Sequence, residues 1–177
     1  MDDFTLRRAT AADARAIASL VNAAYRRAEA FFVRGDRIDE REVVTMLGRG
    51  SFLLAERDGA LGGSVYVEDR GDHGYIGLLS VDPGLQRSGL GRTLMAAAEL
   101  SLAAAGRPRV ELLVVNLRLE LPAWYGKQGY REVGTRPFPT DAPNFLPCHY
   151  LVMSKRLPVR SAPPAPRRAL DSGAASD

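Results

Sequence analysis

Gln86-Arg87-Ser88-Gly89-Leu90-Gly91 lies between an apolar run over 75–81 and an Ala/Leu-rich stretch over 93–105. The order reads as strand, glycine loop, helix. A helix N-terminus presents backbone N–H groups with no intrahelical partner and the positive end of the macrodipole, so it suits an anion. Gly89 and Gly91 remove the Cβ atoms that would hold a diphosphate away from the main chain, and Arg87 and Arg92 add charge at both edges of the loop. The turn is built to hold a phosphorylated cofactor.

Two familiar phosphate loops do not fit. The dinucleotide fingerprint requires a third glycine where Leu94 stands, and an acidic residue where Asn116 follows the run over 110–115. A nucleotide P-loop requires Gly-Lys-Ser/Thr, and the loop has no lysine. What remains is Gln-x-x-Gly-x-Gly after Val81-Asp82-Pro83, which resembles the coenzyme A pyrophosphate loop of the GNAT superfamily of N-acetyltransferases. Downstream, Leu121-Pro122-Ala123-Trp124-Tyr125-Gly126-Lys127-Gln128-Gly129-Tyr130-Arg131-Glu132-Val133-Gly134 resembles that family's other signature. The signature is a short helix carrying aromatic-Tyr, followed by Gly-Phe/Tyr opening a strand. The two motifs are independent, stand in the family's order, and belong to a resemblance covering about residues 4–157.

With 177 residues, the chain is expected to form one domain that buries roughly 70% of its unfolded surface. Apolar content of 46% and charged content of 25% are those of an ordinary globular protein. No apolar run approaches the ~20 residues of a membrane span, and Met1-Asp2-Asp3 lacks the basic-then-apolar order of a signal peptide. A single cysteine, Cys148, cannot form an internal disulfide and fits a reducing compartment, so a cytoplasmic protein is expected. The net charge of +3 favours an anionic ligand but is too small and dispersed for nucleic-acid binding. A monomer or homodimer with no membrane or nucleic-acid partner is expected.

Local patterning predicts a strand over 4–8, then a helix started by Thr10 and Asp13 with Ile17, Leu20, Val21 and Ala24 at helical spacing. Residues 26–37, with Phe31 and Phe32, read as an irregular linker. A second helix over 39–47 has Val43, Val44 and Leu47 as its apolar face. Strands over 51–57 and 61–68 flank the turn Asp58-Gly59. A strand over 75–81, a helix to about 105 stopped by Gly106-Arg107-Pro108, a strand over 110–115 and a short helix over 122–128 follow. Two closing strands over 130–136 and 149–155 are joined by the Pro-rich stretch 137–147. From Pro158 the composition turns to Pro, Ala, Ser and Arg without periodicity, and 158–177 is expected to be a disordered tail outside a 1–157 domain. The class is α+β. The resemblance implies the GNAT arrangement, a mixed, mostly antiparallel sheet flanked by helices and splayed between strands four and five.

Acetyl transfer from a thioester needs a neutral amine, a polarised carbonyl and a proton for the departing thiolate. The resemblance implies an acetyl-CoA-dependent N-acetyltransferase that acts on a primary amine of a small molecule or protein, by direct attack in a ternary complex. It places the pantetheine arm along the backbone of Leu79, Ser80 and Val81, and the pyrophosphate on Gln86, Arg87, Ser88, Gly89, Leu90, Gly91 and Arg92. Tyr125 matches the tyrosine that protonates the thiolate. Members carry an asparagine seven residues before that tyrosine; here the position is Arg118, and either Asn116 substitutes through a shifted loop or Arg118 reaches the cofactor by another route. The strand-five glutamate of some relatives corresponds to Leu113, which leaves Glu111, Glu68, His149 or a water chain as base. On the acceptor side the resemblance places Tyr25, Arg26, Phe31, Phe32, Arg34, Arg37, Phe138, Asn144 and Phe145. A non-catalytic acyl-CoA-binding sensor is the alternative. No metal is implied.

Overall fold

The computed structural model describes residues 4–139 and 146–158. Met1–Asp3, Asn144 and Phe145 and the tail from residue 159 lie outside the described residues. Strands β1 (Thr5–Arg8), β2 (Ser51–Arg57), β3 (Ala60–Asp69), β4 (Gly74–Val81), β5 (Arg109–Val115), β6 (Arg131–Pro137) and β7 (His149–Arg156) form one sheet. Its order is β1-β2-β3-β4-β5-β7-β6, and only the β4–β5 pair is parallel. The β2–β3 hairpin turns on Asp58 and Gly59, with φ of 53° and 75°. Two successive positive φ values match the right-handed twist of the flanking strands, which is why Asp-Gly serves there.

Helices α1 (Ala14–Glu29) and α2 (Glu40–Leu47) cover one face, where Ala14, Ile17, Ala18 and Val21 pack with Val43 against Phe52, Leu54 and Tyr66. Asp13 accepts hydrogen bonds from the Thr10 N–H at 2.7 Å and hydroxyl at 3.1 Å. Its carboxylate also pairs with Arg7, which reaches Glu56 of β2 and so ties the helix start to two strands. The helix runs further than the linker expected over 26–37 allows. Arg26-Arg27-Ala28-Glu29 are good helix formers with no stop signal, and they continue α1 to Glu29.

The connector after α1 is held by Asn22. Its Oδ1 accepts from the Arg37 and Ile38 N–H groups at 2.7 and 3.1 Å, and its Nδ2 donates to the Ile38 carbonyl at 2.8 Å. Phe32 is fully buried beneath the connector with Val115 and Phe138, whereas Phe31 is 52% exposed. Asp39 and Glu42 cap α2 reciprocally at 2.7 and 2.8 Å. Val44, expected on the apolar face, points to solvent at 47% exposure; in so short a helix only one narrow stripe, centred on Val43, reaches the sheet.

On the opposite face, α3 (Leu90–Ala104) and α4 (Glu120–Gly126) bury Leu90, Leu94, Met95, Ala98, Leu102 and Tyr125 against Val65, Ile76, Val110, Leu112 and Val114. Strands β4 and β5 pair only at Gly74↔Val110 and Tyr75↔Glu111, then part. Beyond Tyr75 the β4 backbone on that side has no strand partner among the described residues, a free edge inside the protein. A bulge sits opposite the Ser64–Tyr66 stretch of β3, and Leu78 at its centre has φ of 47°. Left-handed backbone costs a leucine roughly 1–2 kcal/mol. In return the bulge reverses the alternation, sending Leu78 to the α1 side and Leu79 and Val81 to the α3 side.

Candidate active site

The gap between β4 and β5 opens into a cavity of about 660 Å³. Leu79 and Val81 of β4 form one wall, Gln86, Arg87, Gly89, Leu90, Gly91 and Arg92 a second, and Arg118, Trp124 and Tyr125 a third. Backbone conformation shapes the loop. Arg87 has φ of 69° and Gly89, the residue preceding α3, φ of 90°. Alternation with left-handed residues turns successive N–H groups to one concave side, an arrangement that binds anions. Asp82 accepts from the Gly84 N–H at 2.8 Å and fixes the turn that delivers the loop. A Cβ on Gly91 would rest 3.7 Å from Trp124 and 3.8 Å from Val81, so its absence leaves the main chain open toward the cavity. The cradle, the two arginines and the free β4 edge together fit a pantetheine diphosphate.

Not every residue singled out in the sequence faces that space. Ser80 is buried and its hydroxyl donates to the Leu78 carbonyl at 3.1 Å, so only its main chain borders the gap. Ser88 Oγ accepts from the Leu90 N–H at 3.4 Å and braces the start of α3. Asn116 is committed elsewhere: its Oδ1 accepts from the His149 N–H at 2.9 Å and its own N–H donates to the His149 carbonyl at 3.0 Å. Arg118 is the residue of that loop that lines the cavity, held by Glu120 at 2.7 Å and facing Glu29 at 3.6 Å.

Tyr125 is buried edge-on between Trp124 and Tyr130, with ring centroids 4.8 and 5.7 Å away. Burial pushes its hydroxyl well above the ordinary phenol range, while the Arg118 guanidinium pulls it back. The proton therefore stays on the oxygen throughout the neutral range.

The three sequence candidates for a base lie outside this cavity. Glu111 is engaged by Arg109, and lies 3.5 Å from both Arg136 and His73, where β4 and β5 still pair. Glu68 is paired with Arg70 at 3.2 Å, and His149 is exposed at the start of β7. Sequence reasoning passed over Glu29, which is only 5% exposed. Its signal was present in the 21, 25, 29 spacing that continues the buried stripe of α1 through Val21 and the partly buried Tyr25. A second cavity, of about 270 Å³, is lined by Tyr25, Arg26, Glu29, Arg34, Asp36 and Arg37. Phe31, Phe32 and Phe138 do not line it. Among the described residues no group of three or more His, Cys, Asp or Glu side chains could hold a metal ion, and no helix is long and apolar enough to cross a membrane.

The family model for the acetyltransferase (GNAT) domain matches residues 21–148. The fold resembles the ribosomal-protein-S18-alanine N-acetyltransferase of Escherichia coli, with a TM-score of 0.71, 18% identity, and 92% of this chain and 98% of that one covered. It also resembles Ard1 of Thermoplasma volcanium (0.71, 18%, 87% and 97%). A third likeness is the PaiA N-acetyltransferase of Thermoplasma acidophilum in complex with coenzyme A (0.68, 16%, 87% and 99%). No curated protein matches the sequence. The loop after β4, the parted strands and the family match agree: the chain belongs to the GNAT acetyltransferases, acyltransferases whose donor is acetyl-CoA.

Proposed function

We propose that the protein is an N-acetyltransferase that passes the acetyl group directly to a primary amine of a small molecule or protein within a ternary complex. One observation supports the reading: the cavity at the β4–β5 parting is lined by the glycine loop, by Leu79 and Val81 of β4 and by Tyr125. Acetyl-CoA supplies an activated acyl group as a thioester. The chain's own part is chiefly positioning. N–H groups over 87–92 hold the diphosphate, with Arg87 and Arg92 adding charge. The β4 main chain at Leu79, Ser80 and Val81 lies along the pantetheine arm like a neighbouring strand, and its N–H groups polarise the thioester carbonyl.

Tyr125 holds the proton for the departing thiolate. An ordinary phenol lies ~1.5 pKa units above an ordinary thiol, so transfer is uphill by ~2 kcal/mol before the site acts. Burial raises the phenol further, but the same low dielectric raises a thiolate placed beside it, and the two effects offset. Arg118 at the cavity wall favours the phenolate and narrows the gap. Asn116 takes a supporting part, fixing the entry of β7.

The same proposal places the protein in the cytoplasm as a monomer or homodimer, with residues 1–157 as the acetyltransferase domain. The test is an acetyl-CoA turnover screen with thiol detection across amines, polyamines, amino acids and peptides. Amine-dependent thiol release with an N-acetylated product supports the reading. Tight acetyl-CoA binding without turnover on any acceptor makes the protein a sensor instead.

A further inference from the structure

The two cavities meet at one pair of side chains. Arg118 lines the larger, Glu29 the smaller, and Arg118 Nη1 lies 3.6 Å from Glu29 Oε1. The other carboxylate oxygen, Oε2, is inaccessible and has no hydrogen-bond partner among the described residues. A buried carboxylate with one oxygen unanswered is costly to the fold, and here it stands at the wall of a cavity rather than inside packed core. The void beside it is large enough for a short alkyl amine.

We infer that Glu29 is the proton acceptor of the acetyl transfer and that the cavity beside it receives an aliphatic amine arriving as its ammonium ion. The inference rests on the acetyl-transfer reading above. The terminal torsion of a glutamate is soft, so the carboxylate turns its unanswered oxygen to the cavity, where an ammonium N–H donates to it and supplies the charge that this oxygen lacks. The proton then passes to Glu29, and the freed nitrogen lone pair forms a bond to the thioester carbonyl carbon. The carbon–sulfur bond breaks, the departing sulfur takes its proton from Tyr125, and the second proton shed by the nitrogen restores the phenol, so that the one net proton stays on Glu29 and is released to solvent. The product is a neutral amide, which no longer pairs with the carboxylate and can leave.

The surroundings make Glu29 a better base than a surface glutamate. Burial raises its carboxyl above the usual range, against the pull of Arg37 and Arg118. Tyr25 and Arg26 face the cavity from its own helix, and Arg34, Asp36 and Arg37 from the connector. Arg26 is spent on Asp36 at 2.6 Å. Tyr75, Tyr125 and Tyr150 stand further out, around Tyr25 and Arg37. The carboxylate is the active form, so rate should fall as pH drops through its raised pKa.

Glu29→Gln keeps size and polarity and removes the base. With the best aliphatic amine from the screen, kcat should fall roughly 10²-fold or more, the low-pH limb should disappear, and coenzyme A affinity should stay unchanged. Hydroxylamine, which is neutral at pH 7 and needs no prior deprotonation, should lose less than about tenfold. Equal losses with both nucleophiles, or a retained low-pH limb, would overturn the assignment. Arg37→Met keeps Glu29 and removes a charge that lowers its pKa, so the limb should move to higher pH; an unmoved limb counts against the inference even if Glu29→Gln fails to fold. Amine binding gives an independent readout without the donor. Saturating n-butylamine should raise the melting temperature of the wild type and not of Glu29→Gln. If no amine is acetylated the acetyl-transfer reading falls, and this melting comparison still decides the amine site: a rise in both proteins or in neither overturns it.

Discussion

Gly89 and Gly91 stand two residues apart in one loop, yet alanine should affect them in opposite directions. Gly89 has φ of 90° and ψ of −8°, and a Cβ there would meet no atom within 4 Å. Its cost is therefore backbone strain alone, roughly 1–2 kcal/mol for a left-handed alanine, reduced by the ~0.4–1 kcal/mol gained from a stiffer unfolded chain. The net loss of up to about 1.6 kcal/mol corresponds to a fall of up to roughly 6 °C in a chain of this length. Gly91 lies within α3, and its Cβ would sit at ordinary contact distance from Trp124 and Val81. Alanine there removes a helical glycine and should stabilise by up to about 1 kcal/mol, while its methyl group narrows the cavity.

Calorimetry and coenzyme A titration on the two variants separate the effects. Gly89→Ala should melt lower and bind more weakly, because relaxing the strain turns N–H groups away from the diphosphate. Gly91→Ala should melt at or above the wild type and also bind more weakly. Equal melting shifts of the same sign, or full coenzyme A affinity in both, would refute the assigned roles of strain and access.

Tyr125→Phe keeps the ring between Trp124 and Tyr130 and should leave folding and cofactor affinity nearly unchanged while turnover at saturating acetyl-CoA falls roughly 10²-fold; wild-type turnover would demote the hydroxyl to packing. Asn22→Leu breaks three hydrogen bonds and strands buried backbone groups of the connector, so chemical denaturation should show a loss of about 2–4 kcal/mol, with a raised KM for the acceptor because Arg37 shifts. Arg7 holds the Asp13 carboxyl well below the usual range through a charged hydrogen bond. That stability is present above the unfolded pKa of ~3.9 and is lost as pH falls through the lower folded value. Since Arg7 is partly exposed, Asp13→Asn should cost only about 1 kcal/mol at pH 7, and the difference from wild type should shrink when unfolding is followed below pH 4.

Much of the frame was legible because each signal was local. The strand–loop–helix at 75–105, the Asp58-Gly59 hairpin and the helix start at Thr10 and Asp13 depend on residues within a few positions of one another, and the structure forms them as read. The parting of β4 and β5 followed from the resemblance, not from pattern. Three features escaped because their causes are distant in sequence. The bulge at Leu78 has no glycine to announce it; packing of Leu78 on the α1 side and of Leu79 and Val81 on the other imposes the positive φ. Asn22 reads as one polar residue in an apolar stripe until the connector folds back onto it. Glu29 and Arg118 are 89 positions apart, and only the docking of α1 against the β5–α4 loop brings them together. Arg118, not Asn116, reaches the larger cavity for a related reason, since pairing with His149 holds the asparagine at the strand end.

A crystal structure of the protein with acetyl-CoA tests the central claim most directly. The account predicts the diphosphate on the N–H groups of residues 87–92, the pantetheine along β4 at Leu79–Val81, and the thioester sulfur within hydrogen-bond reach of the Tyr125 hydroxyl. A donor bound outside the β4–β5 parting, or a sulfur turned away from Tyr125 with the acetyl group facing solvent, would contradict it.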